Sequence, residues 1–282
     1  MRKRWITLGV LFALVGALGL FAWLKPAKID EQALPIATPK TTKPDAARTL
    51  TVLRNGKPLA TLEKRGTLWH LTEPLKAPAD DFQVTRVLSV LEAKASASYA
   101  SEPSSLAKFE LSSPRAEIVI DGERYAFGGI NNVTQEQYVL AGGRVHAVPL
   151  RHGAAVPNDA AALARRSLFA PGDKLVKFEF GDFTIAQDGI KWVITPAAEL
   201  SQDMTNRWVA QWREGSALRA EAMDDRKPRR ELIITLADGV RVTLGVIQTE
   251  PEFVVRRADL GLQFVYREEI GQQMLAAPPL QK

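Results

Sequence analysis

The stretches GTLWHLTEP at residues 66–74 and GIKWVITP at residues 189–196 have the pattern of one strand written twice. In each, a tryptophan lies within alternating apolar residues, and a proline ends the run, as expected for a strand with one buried face. The segments after Trp69 and Trp192 also follow each other in the same order. The chain is therefore predicted to contain two copies of one folding unit.

Each copy combines strands with one helix. Apolar side chains recur at helical spacing in residues 81–94 and 201–214, which predicts one helix after each of these strands. The turn at Asn55-Gly56 predicts an antiparallel hairpin before the first helix. Four strands should follow each helix, at residues 117–120, 124–127, 137–140 and 144–148, and at 231–236, 240–246, 252–256 and 263–266.

The predicted fold class is α+β, with one N-terminal transmembrane helix before two tandem copies of an antiparallel-sheet-plus-helix unit. A short helix from residue 159 to 168 should join the copies. The predicted boundaries are a stub and membrane span at 1–24, a proline-rich tether at 25–48, the first repeat at 49–156, a helical connector at 157–173, the second repeat at 174–270 and a tail at 271–282.

The membrane prediction rests on residues 5–24, which carry no charge and are long enough as a helix to cross a bilayer. Arg2, Lys3 and Arg4 precede this span, so the positive-inside rule places the N-terminus in the cytoplasm. The alternative is a cleaved signal peptide, with a cut near Ala17-Leu18-Gly19. The expected location is the bacterial inner membrane, with a single pass and a periplasmic C-terminal domain.

The charge of the chain does not favour nucleic acid as a partner. The formal net charge is +5, but three positive charges lie at the N-terminus and the remainder is nearly neutral. The chain has no cysteine, which excludes disulfides, thiolate metal sites and a cysteine nucleophile. No nucleic-acid partner is expected.

A search for catalytic motifs gives no candidate residues. His70, His146 and His152 are the three histidines, and none lies in a catalytic or zinc-binding motif. A GxSxG nucleophile turn and a phosphate-binding glycine loop are also absent from the sequence. No catalytic residue, metal or cofactor is predicted.

One basic run is the candidate binding site. Four of the five residues at 226–230 are positively charged and precede a predicted strand; they are Arg226, Lys227, Arg229 and Arg230. Such a run can contact an anionic lipid headgroup or an acidic protein. A solvated loop is the alternative interpretation.

The order of motifs resembles a bacterial family known as domain of unknown function 4340. The resemblance rests on residues 69–74 (WHLTEP), the ADDFQVTRVLSVL segment, residues 109–114 (FELSSP), and residues 137–140 leading to 145–148. The family usually has Tyr-Gly-Leu where this chain has Phe109-Glu110-Leu111. Similar proteins commonly carry one N-terminal membrane helix, and some are encoded beside ABC-type transporter components linked to gliding motility. The resemblance implies an architecture and no reaction.

The leading hypothesis is a non-enzymatic, membrane-anchored periplasmic domain that binds an envelope protein in a transport or assembly complex. An ABC-type transporter component is one candidate partner, and the lipid bilayer is a second contact through residues 5–24. The alternative is a binding module for an envelope polymer or a lipid headgroup, which would use the cleft between the repeats or the basic run. An unrecognised hydrolase is the third hypothesis.

Overall fold

The computed structural model of the protein describes residues 34–36 and 43–280. Seventeen strands of this part of the chain form two large antiparallel sheets, one of nine strands and one of eight. A separate pair of two-residue strands lies beside the first sheet.

Strands β1 to β11 belong to the first half of the chain. They are β1 (Leu34–Pro35), β2 (Thr49–Arg54), β3 (Lys57–Arg65), β4 (Leu68–Glu73), β5 (Ala77–Pro78), β6 (Lys94–Ala95), β7 (Ala97–Ala100), β8 (Ala116–Ile120), β9 (Glu123–Asn131), β10 (Glu136–Ala141) and β11 (Arg144–Pro149). β1 pairs with β6. The others form the nine-stranded sheet in the order β5-β4-β3-β2-β8-β9-β10-β11-β7.

The second half of the chain forms the eight-stranded sheet. Its strands are β12 (Leu175–Glu179), β13 (Thr184–Asp188), β14 (Lys191–Thr195), β15 (Arg219–Ala222), β16 (Arg230–Leu236), β17 (Arg241–Gln248), β18 (Glu252–Arg257) and β19 (Leu262–Arg267). Their order is β14-β13-β12-β16-β17-β18-β19-β15. This is the order of the first sheet without β5, so β4 corresponds to β14, β10 to β18, β11 to β19 and β7 to β15.

The α-helices of the described chain are short. They are α1 (Asp81–Leu88), α2 (Pro103–Leu106), α3 (Arg151–Ala154), α4 (Gln202–Glu214) and α5 (Glu268–Leu275). The Asp80 carboxylate caps α1 by accepting the backbone N–H groups of Phe82 and Gln83. The helix predicted at 81–94 ends at Leu88 and continues as a 3-10 turn over Ser89–Glu92.

One continuous apolar core fills the space between the sheets and their helices. In the second half it is centred on aromatic side chains: Trp212 is fully buried, and its ring centroid lies 5.9 Å from Phe180 and 6.1 Å from Trp208. Both tryptophans project from one face of α4, because residues four apart on a helix share a face. α4 is thereby packed firmly on the second sheet.

The connector between the sheets is mostly extended. The helix predicted at 159–168 is a single 3-10 turn over Ala160–Leu163. Beyond it the backbone bonds to both halves of the protein: Arg165 N–H donates to Pro78 O at 2.9 Å, and Ala217 N–H donates to Arg166 O at 2.7 Å. The connector thus joins the β5 edge of the first sheet to the segment before β15 of the second.

The predicted fold class is wrong. The described chain is mostly antiparallel sheet, and no helix in residues 34–36 and 43–280 is long and apolar enough to span a membrane. A span needs about 20 predominantly apolar residues, whereas α4 has 13 and carries charged side chains. The predicted span at 5–24 lies outside the described residues. The predicted single-pass inner-membrane location is also contradicted, because no helix of the described residues could span a membrane.

Candidate functional site

The edge strand β14 is anchored to the core by its tryptophan. The indole of Trp192 is buried, with its ring centroid 6.1 Å from that of Phe178. Its Nε1–H donates to Asn206 Oδ1 on α4 at 2.9 Å. Because the ring is packed on one side and hydrogen-bonded on the other, the strand has a defined position at the edge of the sheet.

A side chain replaces a neighbouring strand at Trp192. Gln202 Oε1 accepts the backbone N–H of Trp192 at 2.8 Å, and Gln202 Nε2 donates to the backbone carbonyl of Trp192 at 3.0 Å. An antiparallel partner strand would make the same two bonds. Gln202 therefore closes the outer edge of β14 at this residue.

The same edge is open two residues later. Outward-facing backbone groups alternate along an antiparallel strand, so Ile194 presents its N–H and C=O on the same side as Trp192. Within the described chain no hydrogen bond is found for these two groups. A free backbone pair on an edge strand can bond to an extended segment of another chain.

The first sheet shows how this edge is covered when a strand is present. There, Leu71 of β4 pairs with Ala77 of β5, and Ala79 N–H donates to the carbonyl of Trp69 at 2.8 Å. Trp69 and Trp192 occupy corresponding places, and so do Leu71 and Ile194. The second sheet therefore lacks the strand that β5 provides to the first.

Two exposed apolar side chains accompany the open edge. Val193 is 44% exposed and Ile190, in the turn before β14, is 93% exposed. Water contacts both side chains, and covering them with a partner would be favourable at roughly 25 cal/mol per Å² of buried apolar area. The edge of β14 thus combines backbone hydrogen-bonding groups with apolar surface.

The structure does not bring the basic run together as one patch. Arg226 forms an ion pair with Asp224 at 2.7 Å, and the Arg230 guanidinium lies 5.7 Å from the centre of the Phe180 ring. Lys227 and Arg229 are exposed and have no side-chain partner among the described residues. Two of the four predicted contact residues are therefore available to an anionic partner, and two are engaged within the protein.

Asp224 organises the segment that carries the run. Its carboxylate also accepts a bond from Arg256 at 3.0 Å and one from the buried Gln263 at 3.1 Å. The hydrogen-bonded Arg226 guanidinium holds the pKa of the Asp224 carboxyl well below its usual value. These contacts fasten residues 224–226 to the outer face of β18 and β19.

Two of the three histidines each pair with a serine. His146 Nδ1 lies 2.8 Å from Ser98 Oγ, and His152 Nδ1 lies 3.0 Å from Ser89 Oγ. Burial lowers the pKa of both imidazoles, and neighbouring arginines lower it further. Within the described chain neither ring bonds to a carboxylate, and no group of three His, Cys, Asp or Glu side chains could hold a metal ion.

The described chain also contains a polar groove. It has a volume of about 740 Å³, and residues of both signs of charge and of uncharged polar character line it, among them Arg54, Glu110, Arg115, Asn132 and Gln137. The junction between the two sheets, by contrast, holds a cavity of only about 80 Å³. Ligand pockets usually measure 300–1,000 Å³, so the groove has the size of a binding site and the junction does not.

Sequence reasoning missed the residues that define the open edge. The alternation at 191–195 predicts a strand, but strand order and the place of Gln202 depend on contacts between distant segments. One signal was present: the first copy has the apolar segment Leu75-Lys76-Ala77-Pro78 after its strand, whereas the second has Ala197-Ala198-Glu199. That difference points to a strand present in only one copy.

The fold and this edge define a class of protein: an antiparallel β protein of two like-ordered sheets, with an unpaired strand edge in the second sheet. Within that class, the chain belongs to the family described as Domain of unknown function (DUF4340), whose model matches residues 69–230, more than half of the chain. No curated protein and no solved structure gives a significant match.

Proposed function

We propose that this protein is a non-enzymatic module that binds a protein partner. The observation that supports the proposal is the unpaired N–H and C=O of Ile194 on the outer edge of β14. Strand addition to an exposed sheet edge is a recurring mode of peptide recognition, in which backbone bonds give affinity and exposed side chains give selectivity. Val193 and Ile190 supply that apolar contact.

Site-specific crosslinking tests this proposal. A photoreactive amino acid in place of Val193 should yield one discrete crosslinked product in cells that make the protein. The same amino acid at Thr243, an exposed position on β17 of the same sheet, is the matched control. For a second test the photoreactive amino acid replaces Ile190, so that position 193 is free to be changed. The substitution Val193→Lys should then reduce recovery of the crosslinked product, because a lysine on an edge strand opposes strand addition.

Several outcomes of these experiments would contradict the proposal. If Val193 and Thr243 give the same products, or if neither gives any, the β14 edge is not a binding surface. If Thr243→Lys lowers recovery as much as Val193→Lys, the effect comes from added charge and the edge is not responsible.

The polar groove supports a second candidate function, binding of a polar polymer or a lipid headgroup. Gln137 Oε1 faces no hydrogen-bond donor in the described chain, and Arg115 is an exposed cation at the groove. Titration with soluble polysaccharides and with anionic vesicles should then produce binding that Arg115→Ala weakens. Equal binding by Arg115→Ala and by the distant control Arg241→Ala would rule the groove out.

A further inference from the structure

The free backbone pair of Ile194 lies between two obstacles to strand addition. On one side, the outward N–H and C=O of Trp192 are both bonded to Gln202. On the other side, Pro196 has no N–H to donate. From residue 192 to residue 196, a partner strand therefore finds an N–H and a C=O that are both unbonded at Ile194 alone.

One such pair is too few to hold an extended segment of another chain. The net contribution of each hydrogen bond is small, because the bond replaces one to water. Fixing the backbone of each residue in a flexible segment has an entropic cost of similar size. A partner strand thus needs the next outward pair as well, and along an antiparallel edge that pair belongs to Trp192.

The Gln202 side chain can leave the edge without disrupting its helix. Gln202 is the first residue of α4 and is partly exposed, so its amide can turn into water. Its remaining side-chain bond in the described chain, from Nε2 to the carbonyl of Leu200, is long at 3.4 Å. Displacement breaks the two short bonds to Trp192, and a partner strand can replace both of them.

The strand is also held independently of Gln202. The indole of Trp192 packs against Phe178 and donates to Asn206. On its inner edge, β14 pairs with β13 at each of its five residues. β14 therefore keeps its position when the bonds from Gln202 are exchanged for bonds from another chain.

The first sheet contains the arrangement that results from such an exchange. Asp81 is the first residue of α1 and corresponds to Gln202, the first residue of α4. Its carboxylate forms an ion pair with Arg165 at 3.3 Å. The edge of β4 is occupied there by the backbone of β5.

β5 shows which side chains a strand at this edge carries. Ala77 lies opposite Leu71, and Ala79 N–H donates to the carbonyl of Trp69 at 2.8 Å. Both alanines are almost completely buried, whereas Pro78 between them is partly exposed. Proline is tolerated at this middle position because its place on an edge strand requires no N–H. The pattern is a small residue, any residue and a second small residue.

We infer that Gln202 competes with the partner for the backbone of Trp192, and that the partner displaces it with an extended small-x-small segment antiparallel to β14. The first small residue pairs with Ile194, and the second bonds to Trp192. Side chains of paired residues point to one face of a sheet, and at Trp192 that face carries α4, which leaves room for small side chains. The inference rests on the proposed function and specifies what binds at the β14 edge.

The test measures the yield of the crosslinked product from a photoreactive amino acid at position 190, in cells that make the full-length protein. Gln202→Ala removes the competitor, so the yield should rise about fivefold. Gln202→Glu keeps an acceptor for the N–H of Trp192 but no donor for its carbonyl, and it should give a smaller rise. Gln272→Ala, at an exposed glutamine of α5, should leave the yield unchanged.

Two controls distinguish competition from a loosened strand. Asn206→Ala removes the bond to the Trp192 indole and leaves both bonds from Gln202 in place, so the yield at position 190 should not rise. A photoreactive amino acid at Thr243 in the Gln202→Ala protein detects general unfolding and should give no new product. If Gln202→Ala does not accumulate as a folded protein, the yield of Gln202→Glu decides.

Four results would overturn the inference. They are a yield that does not rise in the position 202 variants, an equal rise in Asn206→Ala, an equal rise at Thr243, and a crosslinked partner segment that mass spectrometry shows to lack the small-x-small pattern. Each of them leaves the proposed function standing while the protein with Gln202 still gives the product at position 190. Absence of that product from every variant contradicts the proposed function and this inference together.

Discussion

The side chain of Gln202 brackets the backbone of Trp192, accepting its N–H at 2.8 Å and donating to its carbonyl at 3.0 Å. One amide side chain thus makes the two bonds that a neighbouring strand would make. In the first sheet the corresponding carbonyl, that of Trp69, is met by the backbone of Ala79. The two sheets satisfy the same edge by different chemistry.

Removal of the Gln202 side chain should lower the stability of the protein. Gln202→Ala leaves the backbone N–H and C=O of the buried Trp192 unpaired, and we expect a loss of about 1–3 kcal/mol in the free energy of unfolding. Urea denaturation followed by fluorescence measures it. Gln272→Ala, which removes an exposed bond to Glu268 within α5, should cost much less. Equal losses in Gln202→Ala and Gln272→Ala would show that the two bonds to Trp192 stabilise the protein no more than an exposed side-chain bond does.

The aromatic centre of the second half should be the most sensitive part of the core. Trp212→Ala removes a fully buried ring that contacts Phe178, Phe180 and Trp208. We expect a loss of about 3–5 kcal/mol, because the large cavity left behind cannot fully collapse. Chemical denaturation measures the change. Phe82→Ala, at a side chain that is 67% exposed, is the control and should stay within about 0.5 kcal/mol of the wild type.

Arg257 should hold the connector to the second sheet. Its guanidinium donates to the carbonyl of Leu168, pairs with Asp259 at 2.6 Å and lies 5.5 Å from the Phe169 ring centre. Arg257→Met leaves the Leu168 carbonyl unpaired, and faster hydrogen exchange is expected across residues 163–170. Arg241→Met breaks an exposed pair with Glu179 and should leave that exchange unchanged. Unaltered exchange in Arg257→Met would contradict this role.

Stability should fall as the pH drops below neutrality. Burial lowers the pKa of His146 and His152 from the ordinary 6.5, so the folded protein binds fewer protons than the unfolded chain near that pH. The contribution of the two neutral histidines to the free energy of unfolding is fully present above pH 6.5. It is lost as the pH falls from 6.5 through the lowered folded values.

Denaturation curves between pH 8 and pH 5 check this dependence. The double variant His146→Gln, His152→Gln should flatten the loss of stability. An equally steep loss in the double variant would place the titrating groups elsewhere.

Local elements were predicted well because their signals are local. The Asn55-Gly56 hairpin, the eight strands after the two helices and the helix at 201–214 are confirmed, the last as Gln202–Glu214. The connector helix was wrong, since residues 164–167 gain backbone partners from both sheets and extended pairing replaces helical bonds. The fold class was wrong because two antiparallel sheets dominate the described chain, and no helix among its residues is long and apolar enough to span a membrane.

The sequence by itself determined where strands and turns lie and which tryptophans face the core, because side-chain alternation and turn chemistry act between near neighbours. Only the tertiary structure decided which surfaces remain open. Gln202 hydrogen-bonds to the backbone of Trp192, Leu75 packs against Gly261, and Asp224 forms an ion pair with Arg226. The spacing of residues along the chain does not predict these contacts. The free edge at Ile194 exists because the strand that β5 provides to the first sheet has no counterpart in the second sheet.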